Sequence, residues 1–262
     1  MRVSKVRRKL AQNQPVLCTK MNTLDPMVCD IIGLAGFDCL WLCNEHTGID
    51  WDRMGHLVRT AAMRDMDAMV RVSKGCYTDF IRPLELGATG LMVPHCMSGE
   101  EAREVGRQTR FQPLGRRALD GGNCDGVYCM VPVTDYLKHA NDNTFIVVQI
   151  EDPEALDKIE EIVAAPGVDV IFVGPGDLSH ALGVPGQGRD PRIVKAVEEV
   201  AAACKKHGKH WGIPVSAESA PMYLEMGARF LAAGADVLAL GPYFKDLRGK
   251  FEKLGFTFDP KI

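Results

Sequence analysis

The stretch Thr144-Phe145-Ile146-Val147-Val148-Gln149-Ile150-Glu151 is an apolar run that ends in acid. A second run, Asp169-Val170-Ile171-Phe172-Val173, follows after one helix-period segment and leads through Gly174-Pro175-Gly176 to Asp177. Short apolar runs separated by a helical pattern mark consecutive β/α units of a parallel sheet. The carboxyl ends of neighbouring parallel strands lie side by side and carry the ligand site. Glu151 and Asp177 should therefore meet in space. Two carboxylates beside a glycine-containing turn form a hard, oxygen-rich site suited to Mg²⁺ or Mn²⁺, with positions left for a chelating substrate.

The same alternation extends outward in both directions. Strands are expected near 15–19, 37–42, 67–71, 90–93, 144–150, 169–173, 211–215 and 228–232, with helices near 25–35, 50–64, 78–86, 98–108, 152–165, 190–207, 218–226 and 235–252. Several strands enter through glycine just past a helix, as in Gly36-Phe37-Asp38, Gly87-Ala88-Thr89, Gly167-Val168-Asp169 and Gly227-Ala228-Arg229. Glycine there accepts the left-handed conformation that ends a helix. The expected fold is α/β, a single (β/α)8 TIM barrel with residues 1–262 as one domain. A chain of 262 residues that is 46% apolar has the size of such a barrel. Ala235 to Leu240 reads equally well as a strand. The irregular stretch Phe111 to Val133, read as following the fourth strand on the active face, is expected to line the substrate pocket, since long loops in compact domains are usually functional or disordered. Leu182 to Arg189 is expected to form a rim or a subunit contact.

A formal charge of −3 argues against nucleic acid or an anionic membrane as partner. The basic cluster Arg2 to Lys9 reads as the solvated face of a first helix. Nine cysteines are scattered singly, without a Cys-x-x-Cys pair, and read as reduced thiols used as small hydrophobes. With no signal-peptide pattern or long apolar span, the expected location is cytoplasmic.

Other polar residues cluster at expected strand ends. After Cys39-Leu40-Trp41-Leu42 come Cys43-Asn44-Glu45-His46, which places His46 at the barrel mouth as a candidate general base. Arg71 ends the third strand, where a permanent positive charge can stabilise an oxyanion or pair with Glu45 or Glu85. Gln149 and Glu151 flank Ile150 and so share one face of their strand. Gly174-Pro175-Gly176-Asp177-Leu178-Ser179 offers backbone N–H groups for a carboxylate.

Asn44-Glu45-His46, Arg71, Gln149-Ile150-Glu151 and Gly174 to Ser179, in this order and spacing, resemble the class II metal-dependent pyruvate aldolases of the HpcH/HpaI aldolase/citrate lyase family. That group includes the 4-hydroxy-2-oxoheptanedioate and 2-dehydro-3-deoxyglucarate aldolases. The resemblance runs from about residue 10 to residue 252. It implies a barrel of the pyruvate-kinase-like (phosphoenolpyruvate/pyruvate) type, assembled as a homo-oligomer, a hexamer built as a trimer of dimers, whose subunits exchange the C-terminal helix. It further implies His46 as base, Arg71 as enolate stabiliser and Glu85 as the acid that raises the basicity of His46. Gln149 would contact substrate, Glu151 and Asp177 would bind Mg²⁺, Mn²⁺ or Co²⁺, and the backbone at Gly176 and Asp177 would hold the pyruvate carboxylate. Cys43-Asn44 stand where family members often carry Asp-Gly or Asp-Thr, and Gly115-Arg116-Arg117-Ala118 replaces a common Gly-x-Arg-Gly turn.

The implied reaction is reversible cleavage of a 4-hydroxy-2-oxo acid to pyruvate and an aldehyde through a metal-stabilised enolate. Related readings are oxaloacetate decarboxylation and cleavage of a malyl- or citramalyl-CoA thioester. A reading from another class is a catalytically weakened protein that binds metal and 2-keto acid.

Overall fold

The computed structural model describes residues 1–259. Helix α1 (Lys5–Ala11) precedes strand β1 (Val16–Met21), followed by α2 (Pro26–Leu34), β2 (Cys39–Cys43), α3 (Trp51–Met63), β3 (Asp67–Arg71), α4 (Tyr77–Glu85), β4 (Gly90–Val93) and α5 (Gly99–Thr109). The second half runs α6 (Val133–Asn143), β5 (Phe145–Ile150), α7 (Pro153–Leu156), α8 (Ile159–Val163), β6 (Val170–Val173), α9 (Pro175–Ala181), α10 (Pro191–His207), β7 (His210–Val215), α11 (Ala220–Glu225), β8 (Phe230–Ala235) and α12 (Asp236–Glu252). The strands are parallel and close as β1-β2-β3-β4-β5-β6-β7-β8, with β8 paired to β1. This is the expected TIM barrel, and each strand falls where its apolar run predicts it.

Alternation along each strand divides the core in two. Cys18, Trp41, Met69, Met92, Val147, Phe172 and Phe230 point inward, while Leu40, Val70, Leu91, Val148 and Ile171 pack against the helices. Trp41 meets Phe172 edge-on at 5.7 Å between ring centroids. Each such buried ring removes enough apolar surface to contribute roughly 1.5–3 kcal/mol. The interior is therefore a packed floor beneath the mouth.

The basic cluster in and before α1 is not a solvated face. Ser4 Oγ and the Val6 N–H donate to buried Asp67, at 2.6 and 2.8 Å, and Arg2 pairs with the same carboxylate. Lys9 pairs with Asp38 at 2.6 Å, and Arg7 with Asp169. These acids begin or precede β3, β2 and β6, so the basic residues close the N-terminal end of the barrel. The charge run finds partners that are distant in sequence.

One other expected element needs correction, and two open points are settled. The single helix expected over 152–165 is the two short helices α7 and α8. Helix α6 occupies 133–143, to which the reading of the sequence assigned no element. Of the two readings of Ala235 to Leu240, the helix is the one formed: Ala235 ends β8 and α12 begins at Asp236. All nine cysteines are free, and Cys18, Cys29, Cys39, Cys43, Cys96 and Cys204 are buried. Among the described residues no helix is long and apolar enough to cross a membrane.

Candidate active site

Two residues beyond the inward-facing layer, each strand presents its next inward position to the mouth. These positions are Lys20 on β1, Cys43 on β2, Arg71 on β3, Gln149 on β5 and Gly174 just past β6. The polar ones cannot be reached from the helices, so they form the floor of one site.

Arg71 is 5% exposed. Its guanidinium donates to Cys43 Sγ at 3.2 Å and to Gln149 Oε1 at 3.5 Å. Its Nε lies 3.0 Å from Glu45 Oε2, yet neither atom has an aligned hydrogen bond among the described residues. The guanidinium carbon also lies 5.1 Å from the centroid of Trp41. Arg71 is thus held from several sides while its Nε–H stays uncommitted among the described residues. Of the two acids considered as its partner in the sequence, Glu45 is the one that meets it.

Glu151 is 1% exposed. Its Oε2 accepts from Gln149 Nε2 at 2.9 Å, and its Oε1 accepts from the backbone N–H of His95 at 2.9 Å. Burial pushes the Glu151 carboxyl above its ordinary range, partly opposed by the His95 N–H and ring, and the charge of Asp177 pushes it further up. The two acids thus sense each other. A Cβ added at Gly174 would collide with Oε2 of Glu151 and stand 2.8 Å from its Cβ. Glycine there lets the turn after β6 close against the carboxylate. At Gly176 a Cβ would meet nothing within 4 Å, so that backbone faces open space.

His46 stands at the rim with 57% of its side chain exposed, and its Nε2 lies 3.6 Å from Glu45 Oε2. Glu45 therefore stands between His46 and Arg71.

Glu85 does not join this group within the chain. It ends α4, which runs antiparallel to the strands and so finishes at the opposite end of the barrel from their carboxyl termini. Burial raises its carboxyl, with Arg117 opposing and Asp125 and Asp120 adding to the rise. The acid beside His46 is Glu45. The stretch 111–133 does not follow the fourth strand as expected. It follows α5, not β4, and it packs along α4, where Cys124 N–H donates to the Glu85 carbonyl at 3.1 Å and Ala118 N–H donates to the Tyr77 hydroxyl at 2.6 Å.

His95 was missed in the sequence. It lies just past β4, with its ring Nδ1 2.9 Å from Asp152 Oδ2 and its Nε2 3.9 Å from Glu45 Oε1. Burial lowers its pKa, but the bond to Asp152 and the charges of Glu151, Asp152 and Glu45 outweigh that and raise it overall. Its backbone has φ of 51°, a left-handed conformation that costs a non-glycine residue of order 1–3 kcal/mol. That strain turns its N–H onto Glu151. The signal was available, because Val93-Pro94-His95 puts a polar residue beyond a strand end just as Ile150-Glu151 does.

Comparison with known proteins places this geometry in context. The family model described as HpcH/HpaI aldolase/citrate lyase matches residues 22–241. A 5-keto-4-deoxy-D-glucarate aldolase of Klebsiella pneumoniae is 34% identical over 252 residues, covering 95% of this chain and 97% of the relative. An HpcH/HpaI aldolase from Desulfitobacterium hafniense superposes with a TM-score of 0.89 at 30% identity, covering 97% of this chain and 98% of the other. The citrate synthase SbnG superposes with a TM-score of 0.87 at 26% identity, covering 95% and 98%.

Proposed function

Because the chain belongs to the HpcH/HpaI aldolase/citrate lyase family, we propose that it is an aldolase, a carbon–carbon lyase that reversibly splits a 4-hydroxy-2-oxo acid into pyruvate and an aldehyde. The observation that carries this reading is the convergence of Arg71, Gln149 and Glu151 on one buried floor at the barrel mouth.

The donor set fits a divalent cation. Glu151 is a desolvated carboxylate whose pKa a second acid raises further, and no lysine or arginine pairs with it among the described residues. A cation held by Glu151 and Asp177 would remove that repulsion, and an all-oxygen donor set suits Mg²⁺ or Mn²⁺. Such an ion would act as Lewis acid toward the keto oxygen where enolate charge develops.

The chain's own residues supply the remaining steps. Arg71 directs fixed positive charge at the same oxygen and, being held by Cys43, Gln149 and Glu45, needs little reorganisation as the charge grows. Gln149 orients both Arg71 and Glu151 and offers its amide to the substrate. The backbone at Gly176 and Asp177 holds the pyruvate carboxylate. His46 takes the proton of the C4 hydroxyl during cleavage and returns it during addition, with Glu45 Oε2 3.6 Å from its Nε2.

The assembly we propose is a homo-oligomer, a hexamer made of dimers that exchange α12. Asp236 is the only buried residue among the described side chains of this helix, while Leu238, Tyr243 and Phe244 are each more than half exposed. Met27, Ile31 and Leu34 on α2 also lie bare. Apolar exposure on two helices supports the reading that they meet a second subunit. The partner's α12 would cover it.

The test is release of pyruvate from a racemic 4-hydroxy-2-oxo acid with Mn²⁺, with EDTA as control. Metal-dependent release supports the reading; no release under either condition refutes it.

A further inference from the structure

Lys20 occupies the inward position of β1 at the mouth, on the same floor as Arg71. The other partly buried lysines are each satisfied: Lys5 and Lys9 pair with Asp38, and Lys209 donates to the carbonyls of Ala165 and Val168. Lys20 alone among them has neither an ion pair nor a hydrogen bond within the described residues. Its ammonium lies 5.5 Å from the Trp41 ring centroid, and that is its one polar compensation. An ammonium at the mouth with no counter-ion among the described residues keeps its donors available for an anionic ligand.

A cavity of about 740 Å³ opens at this point, walled by Lys20, Asn22, Trp41, Ser216 and Ser219. The Trp41 indole N–H is buried and also lacks a partner among the described residues. The indole N–H, being shielded, is not offered to the cavity, and the unpaired charged donor of its wall is the Lys20 ammonium. Its position is informative as well. In the closed ring β1 stands opposite β5, so a substrate anchored at Glu151 and Arg71 extends its far end across the mouth toward Lys20. Trp41 links the two halves, lying against the guanidinium of Arg71 and the ammonium of Lys20.

We propose that Lys20 and its cavity form the acceptor half of the site and select aldehydes that carry an anionic group, carboxylate or phosphate, distal to the carbonyl. The inference rests on the aldolase reading and adds the residue that sets acceptor preference.

The test compares pyruvate addition to matched acceptor pairs: succinic semialdehyde against butanal, and glycolaldehyde phosphate against glycolaldehyde. In Lys20→Met, which keeps the alkyl stem, the anionic-to-neutral ratio of kcat/KM is expected to fall roughly tenfold or more, the scale of one lost charge-assisted hydrogen bond. Lys20→Arg is expected to restore it. The pair with the larger drop tells whether carboxylate or phosphate is read. An unchanged ratio in a folded Lys20→Met protein overturns the proposal, as does loss of pyruvate methyl-proton exchange, which would place Lys20 at the enolate. Should the native enzyme turn over no acceptor, the aldolase reading fails first. Calorimetric titration with succinate and inorganic phosphate then decides for Lys20: weaker binding by Lys20→Met supports its role as anion receptor, and equal binding overturns it.

Discussion

Arg71 Nε and Glu45 Oε2 lie 3.0 Å apart on the barrel floor, yet the N–H is not aimed at the oxygen. The pair attracts through charge while each atom keeps a free hydrogen-bonding direction. That is a useful arrangement for a group that must bind charge appearing only during reaction. Arg71→Lys keeps the charge but loses the planar fork that meets Cys43, Gln149 and Glu45 at once. Its kcat for pyruvate production is expected to fall by about 10²-fold or more, with far-UV circular dichroism unchanged. Steady-state kinetics would expose the error if the variant retained native kcat.

Glu151→Gln has a stability signature of opposite sign to most site mutations. The carboxyl of Glu151 titrates above its unfolded value, so the metal-free folded state binds a proton more tightly than the unfolded chain. Stability is then lost as pH rises from the unfolded value through the folded one. In EDTA at pH 7 the variant should have a higher Tm than the native protein. Adding Mn²⁺ should raise the native Tm and leave that of the variant in place. Thermal scans with and without metal would refute this if both proteins responded alike.

Gly174→Ala would put a methyl group against the carboxylate and Cβ of Glu151. Overpacking of this kind typically costs about 1–3 kcal/mol. The carboxylate must move, so Mn²⁺ affinity measured by calorimetry should drop by at least tenfold. Native affinity in this variant would mean that Glu151 does not bind the ion.

Asp236 fastens the loop after β1 to the start of α12, accepting from the N–H groups of Asn22, Thr23 and Val237, each at 2.8 Å. Burial raises its carboxyl, but these bonds and the Thr23 hydroxyl outweigh burial and leave it below the usual range. A depressed carboxylate stabilises the fold above its unfolded pKa, and that contribution disappears as pH falls through the folded value. Asp236→Asn should therefore cost about 1–3 kcal/mol at pH 7 and show a flatter loss of stability in acid. Denaturant titrations at pH 7 and below pH 4 would measure both effects.

The strands were legible because a parallel barrel buries both faces of each strand and writes it as a continuous apolar run. Polar residues directly after such runs, Arg71 and Glu151 among them, were legible for the same reason. Helix α6 was not, because Val133 to Asn143 buries only Tyr136 and Ala140 and has little apolar periodicity. The pairing of Arg2, Arg7 and Lys9 with Asp67, Asp169 and Asp38 spans distant parts of the chain and has no local trace. Glu85 came from family likeness, and the direction of α4 separates it from His46 within one chain. The positive φ of His95 leaves no mark in composition, so the N–H it turns onto Glu151 was hidden even though its place beyond β4 was readable.

The most direct test of enolate formation at this site is proton nuclear magnetic resonance of pyruvate in D₂O with the purified protein, Mn²⁺ and no aldehyde. Loss of the methyl signal that stops on adding EDTA, and that is slowed in Arg71→Lys, is the expected result. A methyl signal that persists at the rate of the protein-free control, with Mn²⁺ shown to be bound, would contradict it.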